Sequence, residues 1–549
     1  MKTYHYSLKE IIVRLLKIAR EIKGYLFIST LSSIIGNLSH IGFMGFGALW
    51  ILSKGSGVYA FLCILCGLLI GICRYLEGVF SHLGAYGILA KMRVNLFTSI
   101  DRISPAFMIE RDTGDVLNIA VNDIETLEFF FAHTIGPMFT VILLPVTSIM
   151  IAWHYHPVYA RILIPAFLLI SIIIPAIALK TGKNPGIRYR SELGKLKAMI
   201  LESVFGLKDI QIFDAMDQRM KQMLHQNTLS NQASYMLILH RQTVSSLPNF
   251  FIYLTRILLL AAAGLFMDPE PSGLVVVSFI VTASFSSTFS LTFVVSHLLE
   301  AFASARRIFT IEDQIPQVKE KENTVPCEKI DSITFDNVSF HYPADQHMIL
   351  HDVNLQIRKG MHIGIVGESG AGKSTFARIL LRFYDVTEGS ILLNNTDIRD
   401  ISFQDLHQKI GYLEQDTYLF NDTIANNIAV AKEGATMKEI MDAAEKAGLS
   451  DFIQTLPDGY DTQMGEMQER LSGGERQRVG IARIMLRDPD IIVLDEPSSA
   501  LDVLHEKELI DVLNNAYNDK TIILISHRHS TLSGCDHIIH LEDGLMRMS

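Results

Sequence analysis

The sequence predicts two folds in one chain: an α-helical domain that crosses a membrane six times, followed by an α/β domain. Three observations support this division. Hydrophobic residues make up 49% of the 549 residues, and the long uncharged runs all lie before residue 300. After residue 330, short apolar strands alternate with helical segments. A glycine-rich loop joins one of these strands to a helix at residues 367–375. The net charge of −10 argues against nucleic acid as a partner.

The first element is a predicted amphipathic helix at residues 7–23. Its apolar positions lie on one helical face and are interleaved with basic residues, which is typical of a helix at a membrane interface. Six apolar segments follow, each long enough for a hydrocarbon core about 30 Å thick at about 1.5 Å per residue. They comprise residues 24–53, 55–73, 129–160, 162–179, 245–267 and 271–299.

The charges between the spans predict their orientation. Residues 1–23, 91–128 and 180–243 carry twenty Lys and Arg residues, whereas the opposite loops carry only Lys54 and Arg161. Because basic residues concentrate on the cytoplasmic side, both termini and the α/β domain are expected in the cytoplasm. The predicted location is therefore the cell membrane, with the lipid bilayer as a partner.

We place the transmembrane domain at residues 1–310, a charged linker with two prolines at 311–332, and the α/β domain at 333–549. The two cytoplasmic connections are too long for loops and are expected to be helices that continue out of the bilayer. Five cysteines indicate no disulfide framework.

Residues 367–375 fit the phosphate-binding loop G-x-x-x-x-G-K-[ST]. Apolar residues 361–366 predict a buried strand before the loop, and residues 376–381 predict a helix after it, as the motif requires. Backbone N–H groups of such a loop surround phosphate oxygens at a helix N-terminus. Lys373 is expected to reach the β- and γ-phosphates, and Ser374 to bind Mg²⁺. The predicted ATP-binding residues of this loop are Gly367, Glu368, Ser369, Gly370, Ala371, Gly372, Lys373, Ser374 and Thr375.

A second apolar strand, residues 491–495, ends in two carboxylates. Asp495 is placed to hold Mg²⁺ through water, and Glu496 is placed to polarise the attacking water as a general base. Together with the phosphate-binding loop, this pair predicts ATP hydrolysis with ATP and Mg²⁺ as cofactors.

A third motif, Leu471-Ser-Gly-Gly-Glu-Arg-Gln-Arg478, precedes a helical run. With it, the chain resembles the ATP-binding cassette (ABC) transporters. Six spans and one cassette resemble, over nearly the whole chain, a half-transporter of the type IV, or exporter-fold, group. Residues 112–118, 122–125 and 303–309 are also similar to that group.

This resemblance implies roles for further residues. Gln415 matches the Q-loop glutamine, with catalytic and metal-binding roles, and His527 matches the catalytic switch histidine. Tyr342 matches the aromatic residue that stacks on adenine. The signature and the D-loop add Ser472, Gly474 and Asp502 to the ATP-binding residues. In the family, the signature of one cassette caps the γ-phosphate bound by another, so a second half-transporter is implied, in a homodimer or a heterodimer.

Three functions remain open. Export of a small substrate, such as a thiol, peptide, drug or lipid, is the one that the resemblance implies first. An importer on the same fold, as in some siderophore systems, is the alternative, since fold and cassette serve both directions. A non-transporting ABC regulator or a DNA-repair ATPase is the third. Glu496 and His527 argue against a regulator, and six spans argue against DNA repair.

A weaker resemblance concerns Arg74-Tyr-Leu-Glu77, which is followed by Ser81-His82. It resembles CydC-type subunits of thiol (cysteine/glutathione) exporters, in which an Arg-Tyr-x-Glu-Arg stretch precedes a haem-associated histidine. Here Gly78 stands where the second arginine would be. The alternatives are an ion pair between Arg74 and Glu77, at i,i+3 spacing, and a solvated His82 on a cytoplasmic helix.

Arg256 is the candidate substrate residue. It lies in the fifth predicted span, 11 residues from Met267 at its outer end, which is about 16 Å along a helix and close to the bilayer midplane. A charge there costs several kcal/mol unless it faces water or a partner. We expect either an internal ion pair or a place in the translocation cavity, where Arg256 would meet an anionic group of the substrate.

Overall fold

The computed structural model describes residues 6–111, 113–266, 271–327, 329–343, 345, 347–464, 471–497, 520–528 and 531–548. The chain divides into two compact units, which we name the helical unit and the α/β unit. The helical unit contains Thr3–Ile100 and Arg111–Asp313. The α/β unit contains Asp101–Glu110 and Gln314–Ser549, together with Met1–Lys2.

Long helices make up the helical unit. The helices in chain order are α1 (Leu8–Ala19), α2 (Lys23–Leu52), α3 (Gly57–Ile103), α4 (Ala106–Ile109), α5 (Thr113–Asn118), α6 (Ile124–Thr126), α7 (Glu128–His133), α8 (Ile135–Tyr155), α9 (Pro157–Leu168), α10 (Ile174–Phe205), α11 (Leu207–Ile212), α12 (Met216–Phe266) and α13 (Pro271–Glu312). The short α4 belongs to the α/β unit. Turns of π-helix at Ile119–Asp123 and Leu169–Ile173 join α5 to α6 and α9 to α10.

Five stretches of helix in the described part of the chain are long and apolar enough to cross a membrane. They are Leu8–Leu52, Gly57–Ile103, Thr113–Tyr155, Pro157–Gly182 and Met216–Leu265. The sixth predicted span falls in α13, whose described apolar stretch, Gly273–Phe285, is shorter. The second long connection, residues 180–243, is helical as predicted and is formed by α10, α11 and α12. In the first, residues 91–128, α3 ends at Ile103 and the short helices α4, α5 and α6 follow, so it is not one helix that continues out of the bilayer.

The predicted amphipathic helix is confirmed as α1. It begins with a capping box in which Ser7 N donates to Glu10 Oε2 at 2.7 Å and Glu10 N donates to Ser7 Oγ at 3.3 Å. Ile11 and Leu15, on the predicted apolar face, are fully buried. On the other face Arg14 Nη2 lies 2.7 Å from Glu312 Oε2, which ties α1 to the end of α13.

In the described residues of the α/β unit there are two sheets and six further α-helices. The strands are β1 (Ser332–Phe340), β2 (Leu350–Arg358), β3 (His362–Val366), β4 (Glu388–Leu393), β5 (Thr396–Asp397), β6 (Ile410–Leu413), β7 (Ile491–Asp495), β8 (Thr521–Ile525), β9 (His537–Glu542) and β10 (Leu545–Met548). The helices are α14 (Lys373–Leu380), α15 (Phe403–Lys409), α16 (Ile424–Ala429), α17 (Met437–Lys446), α18 (Ser450–Gln454) and α19 (Gly473–Arg487).

One sheet is antiparallel, with strand order β2-β1-β4-β5, and the other has the order β10-β9-β3-β8-β7-β6. Strands β9, β3, β8, β7 and β6 of the second sheet are parallel, and only β10 runs the other way. The buried rings of Phe335 on β1 and Phe376 on α14 stack with centroids 4.5 Å apart. This contact fixes α14, and the loop before it, against the first sheet.

The segment Asp101–Glu110 packs as part of the α/β unit, although it follows α3 in the chain. Ala106 is buried in the same apolar core as the strands of this unit. The hydroxyl of Tyr384 lies 3.4 Å from Ala106 O and 3.5 Å from Glu110 Oε1. Burial raises the pKa of Tyr384, so the hydroxyl remains protonated and able to donate.

Candidate functional site

The predicted catalytic motifs meet at one edge of the parallel sheet. In the register of β3, β8 and β7, Ile365 pairs with Ile525, and Ile525 pairs with Asp495. Beyond these pairs, Ser526 N donates to Ile365 O at 3.1 Å and Glu496 N donates to Ile525 O at 2.9 Å. The phosphate-binding loop, the two carboxylates and the segment before His527 therefore leave the sheet side by side, where ligands bind in open α/β sheets.

The loop between β3 and α14 has the geometry of an anion site. Gly372 has φ +103°, a conformation that a side chain would strain, and it begins α14. Lys373 is buried, and its Nζ donates to Gly367 O and Glu368 O at 2.9 Å each. Ser369 and Gly370 are exposed at the tip of the loop. Backbone N–H groups at the start of α14 and the ammonium group thus face the same opening, which favours a polyphosphate.

Oxygen donors for a metal ion lie beside this loop. Asp495 is buried, and its carboxylate accepts hydrogen bonds from the Ser374 hydroxyl and, at 3.3 Å, from Tyr412 Oη. Burial raises the pKa of Asp495. A hydroxyl and a carboxylate are ligands that Mg²⁺ accepts, so Ser374 and Asp495 fit the ion. Bound Mg²⁺ would supply positive charge against the β- and γ-phosphates.

Glu496 adopts a left-handed backbone conformation, with φ +50°. Such a conformation costs a residue other than glycine about 1–3 kcal/mol and persists only where the surrounding structure holds it. The Glu496 side chain is 22% exposed, and its Oε1 lies 3.3 Å from Nδ1 of His527. The structure therefore brings two of the three predicted catalytic residues, Glu496 and His527, together, with a carboxylate that solvent can still reach.

Tyr342 lies beside α14, the helix that follows the phosphate-binding loop. Its hydroxyl accepts a hydrogen bond from Arg378 Nη1 at 3.0 Å and lies 3.0 Å from Thr375 Oγ1. The ring meets that of Tyr384 edge to face, with centroids 5.1 Å apart. Ala371, the remaining residue of the predicted loop set, is half-buried. The stacking of Tyr342 on adenine stays a prediction.

The signature residues lie at the start of α19, and the Q-loop glutamine follows β6. Ser472 caps α19 and is exposed, while Gly474 in its first turn is buried. Gln415 is exposed in the segment after β6, and its carbonyl accepts a hydrogen bond from Gln477 Nε2. Asp502 lies outside the described residues. The sequence analysis did not single out Gln477, although this residue lies inside the signature motif at residues 471–478.

Family comparisons agree with this geometry. Residues 11–293 match the family described as ABC transporter transmembrane region, and residues 350–499 match the family described as ABC transporter. The chain belongs to the ABC transporters. It is therefore a membrane protein that binds ATP, an ATPase coupled to the translocation of a substrate, and a fused permease and cassette of the exporter type.

Relatives of this ABC transporter align with most of its sequence. A Haemophilus influenzae protein named "Probable ABC transporter ATP-binding/permease protein" is 34% identical over 499 residues, which is 89% of each chain. An ATP-dependent lipid A-core flippase of Syntrophus aciditrophicus is 31% identical over 88% of this chain and 80% of the flippase. The solved structure of a bacterial Atm1-family ABC exporter with ATP bound superposes with a TM-score of 0.79 at 26% identity, covering 96% of this chain and 94% of that one.

The stretch that resembles CydC-type subunits forms ordinary polar pairs in this ABC transporter. Arg74 Nη1 lies 2.9 Å from Glu77 Oε2, so the predicted i,i+3 ion pair is confirmed. His82 keeps part of its solvent exposure, at 37% of the side chain, but it is paired with a carboxylate, which the expectation of a solvated histidine did not include. Its ring is half-buried, with Nδ1 2.8 Å from Glu128 Oε1 and the ring centroid 5.1 Å from that of His133. Glu128 and His133 on α7 thus contact the imidazole of His82 on α3 and leave part of it open to solvent. The resemblance to CydC-type subunits stays a prediction.

Arg256 lies on α12 and contacts α13. Its Nη2 donates to Thr282 Oγ1 at 2.6 Å, and its Cζ lies 5.5 Å from the centre of the Tyr253 ring. Among the described residues Arg256 has no carboxylate partner, and its buried Nε has no hydrogen-bond partner. The described part of the chain thus offers no internal ion pair for this cation.

Proposed function

We propose that this ABC transporter works as a dimer that exports a small anionic substrate, such as a thiol-containing peptide, from the cytoplasm. Arg256 carries the proposal for the substrate. Its half-buried guanidinium group lies within a span, and Nε lacks a hydrogen bond among the described residues. An anionic group of the substrate would satisfy that donor and offset the cost of the charge.

A groove also lies on α12, the helix that carries Arg256, between six and fourteen residues before it in the chain. It has a volume of about 420 Å³ and is lined by α12, from Gln242 to Phe250. Gln242, Thr243 and Ser246 give its wall a polar side, and Leu247 and Phe250 give it an apolar side. A surface with both characters suits a substrate that carries a charge on an apolar body.

The proposed ATP cycle uses the residues at the sheet edge. Lys373 and the backbone amides of residues 368–375 hold the phosphates, with Ser374, Asp495 and Gln415 around Mg²⁺. Glu496 polarises the attacking water, and His527, at 3.3 Å, holds the carboxylate in place. Cytoplasmic placement of both termini and of this site is part of the proposal and rests on the charge asymmetry of the loops.

Dimer formation is proposed through α11. The residues that flank α11 include two exposed phenylalanines: Phe205, the last residue of α10, is 81% accessible, and Phe213, directly after α11, is 77% accessible. The α/β unit carries a groove of about 430 Å³ whose walls include the apolar residues Val430, Ala431 and Ile484. We propose that α11 of one half-transporter occupies this groove on the second copy, because burying two phenylalanines contributes about 1.5–3 kcal/mol each.

We expect Phe205→Glu combined with Phe213→Glu to convert the dimer to a monomer and to lower ATPase activity at least tenfold. Two carboxylates at these positions would have to lose their water on burial between the two copies, which opposes the contact. Native mass measurement after mild solubilisation reports the oligomer, and steady-state hydrolysis reports the activity. Lys208→Ala, an exposed substitution on the same helix, is the control. A wild-type monomer with full ATPase activity would overturn the dimer.

We expect Arg256→Ala to abolish substrate-stimulated ATPase activity while leaving basal activity and folding intact, and Arg256→Lys to restore part of the stimulation. The reason is that either cation can meet an anionic group in a dry site. Glutathione serves as the anionic probe and its diethyl ester as the probe without carboxylates. ATP-driven uptake of glutathione into inside-out vesicles measures the direction.

Arg241→Ala, an exposed arginine on the same helix but outside the predicted span, is the matched control and should retain stimulation. Equal stimulation by both probes, or unchanged stimulation in Arg256→Ala, would return Arg256 to a structural role. Uptake into right-side-out vesicles alone would favour the importer.

A further inference from the structure

The side chain of Gln477 on α19 is buried and bonded entirely to the Q-loop segment, residues 413–420. It is 2% exposed. Its Nε2 donates to Glu414 O at 3.3 Å and to Gln415 O, and its Oε1 accepts from Thr417 Oγ1 at 3.3 Å. Both ends of the amide are therefore used within four consecutive residues. A buried amide with this many bonds fixes the path of the backbone that it holds.

The next turn of α19 lies against the same segment. A Cβ on Gly480 would come within 2.4 Å of Leu413 Cδ1 and 2.7 Å of Thr417 Oγ1. Because real Cβ atoms do not approach other atoms so closely, only glycine permits this contact. Because Gly480 has no side chain, α19 lies close enough to residues 413–420 for the Gln477 side chain to form its hydrogen bonds with them.

Two turns along α19, Arg483 holds the far end of the segment. Its Nη1 donates to Tyr418 O at 2.8 Å, and its Nη2 donates to Asn427 Oδ1 at 3.0 Å. Asn427 in turn accepts from Phe420 N at 2.8 Å. Gln477, Gly480 and Arg483 are spaced i, i+3, i+6 and so lie on one face of the helix. That face contacts the segment at Leu413, Glu414, Gln415, Thr417 and Tyr418.

We propose that Gln477 is a positioning residue for ATP hydrolysis. It holds the backbone at Gln415 on the signature helix, so that the Q-loop glutamine and Ser472 at the start of α19 move as one body. The inference rests on the proposed role of Gln415 at Mg²⁺ and water. Gln477 acts only through the backbone of Glu414 and Gln415, and not on the nucleotide.

Loss of the hydrogen bonds between Gln477 and residues 414–417 should slow ATP turnover more than it weakens ATP binding. The phosphate-binding loop, which supplies most contacts to the phosphates, is held by β3 and α14 and does not depend on Gln477. Displacement of a reacting group by about 1 Å can cost on the order of 100-fold in rate. A KM that stays constant while kcat falls therefore distinguishes positioning from general damage to the fold.

The test is Gln477→Glu in the full-length dimer. The change keeps the shape and removes the two N–H donors. We expect kcat for ATP to fall 10- to 100-fold, with KM for ATP within threefold of wild type. Gln477→Asn, which keeps the amide on a shorter side chain, should recover part of kcat. Asn394→Asp is the matched control: it removes the donor to Lys329 O in the same unit, away from the sheet edge, and should retain both constants.

Gln415→Ala separates this inference from the proposed function. We expect Gln415→Ala to be slow, and Gln477→Glu to add no further loss to it, because both act on one group. If Gln415→Ala is slow but Gln477→Glu and Gln477→Asn are not, or if the losses multiply, the positioning role is wrong while the role of Gln415 stands. A wild-type kcat in Gln415→Ala would overturn both the proposed role of Gln415 and the positioning role of Gln477. Should Gln477→Glu not fold, Gln477→Asn carries the same cycle.

Discussion

Glu496→Gln is expected to lower ATP hydrolysis by about 10²–10⁴-fold while leaving ATP bound, because a general base contributes that much to the rate. The substitution keeps the size of the side chain at the end of β7 but removes the charge that polarises water. The left-handed backbone at Glu496 and its distance of 3.3 Å from His527 show that the site holds this side chain in place. Single-turnover hydrolysis and ATP retention by the dimer measure the two effects.

Glu542→Gln provides the control for this experiment. Glu542 is an exposed carboxylate at the end of β9, a parallel neighbour of β3 in the same sheet. Glu542→Gln therefore removes one negative charge from the same edge of the sheet as Glu496→Gln does. We expect Glu542→Gln to hydrolyse ATP at the wild-type rate. If the Glu496→Gln dimer also retained wild-type turnover, the assignment of Glu496 as general base would be wrong.

Lys373→Ala is expected to weaken ATP binding at least about 30-fold. Lys373 is buried, and its ammonium group lies over the loop carbonyls of Gly367 and Glu368, close to the expected phosphates. Removal of one partner of a buried, hydrogen-bonded charge pair costs about 2–5 kcal/mol, and each 1.4 kcal/mol corresponds to about tenfold in affinity. Titration with ATP at equilibrium, followed by heat or by a fluorescent analogue, gives the dissociation constants.

The control is Lys432→Ala, which removes an exposed lysine paired with Glu439. An exposed ion pair contributes little to stability because water and salt screen it, so neither ATP binding nor stability should change much. Lys373→Arg should recover part of the affinity because it keeps the positive charge. ATP binding by Lys373→Ala at the wild-type constant would show that the loop binds phosphate through its backbone alone.

Much of the ABC transporter could be predicted from short stretches of sequence. The loop from Gly367 to Thr375 carries its own geometry, because glycines at fixed spacing allow the turn and a lysine opens the helix. The amphipathic helix α1 was predicted from the spacing of Ile11 and Leu15, and its capping box lies within four residues. In each case the residues that interact are close in the chain, so a local pattern is sufficient.

Other predictions depended on packing and were less complete. The i,i+3 pair of Arg74 and Glu77 is local and was confirmed. The environment of His82 was not predicted, because its partner Glu128 lies 46 residues away on another helix. No pattern within either helix records which faces of α3 and α7 meet, since that choice depends on the packing of the whole helical unit.

The sequence by itself determined the two fold classes, the phosphate-binding loop and the carboxylates at the end of β7, since backbone sterics and hydrophobic periodicity act over a few residues. The tertiary structure alone decided that Asp101–Glu110 packs with the α/β unit. It also decided that Arg256 bonds Thr282 and that Gln477 holds the backbone of Gln415. These contacts join residues that are 26 and 62 positions apart, so they form only when the folded chain brings distant elements to within hydrogen-bond range.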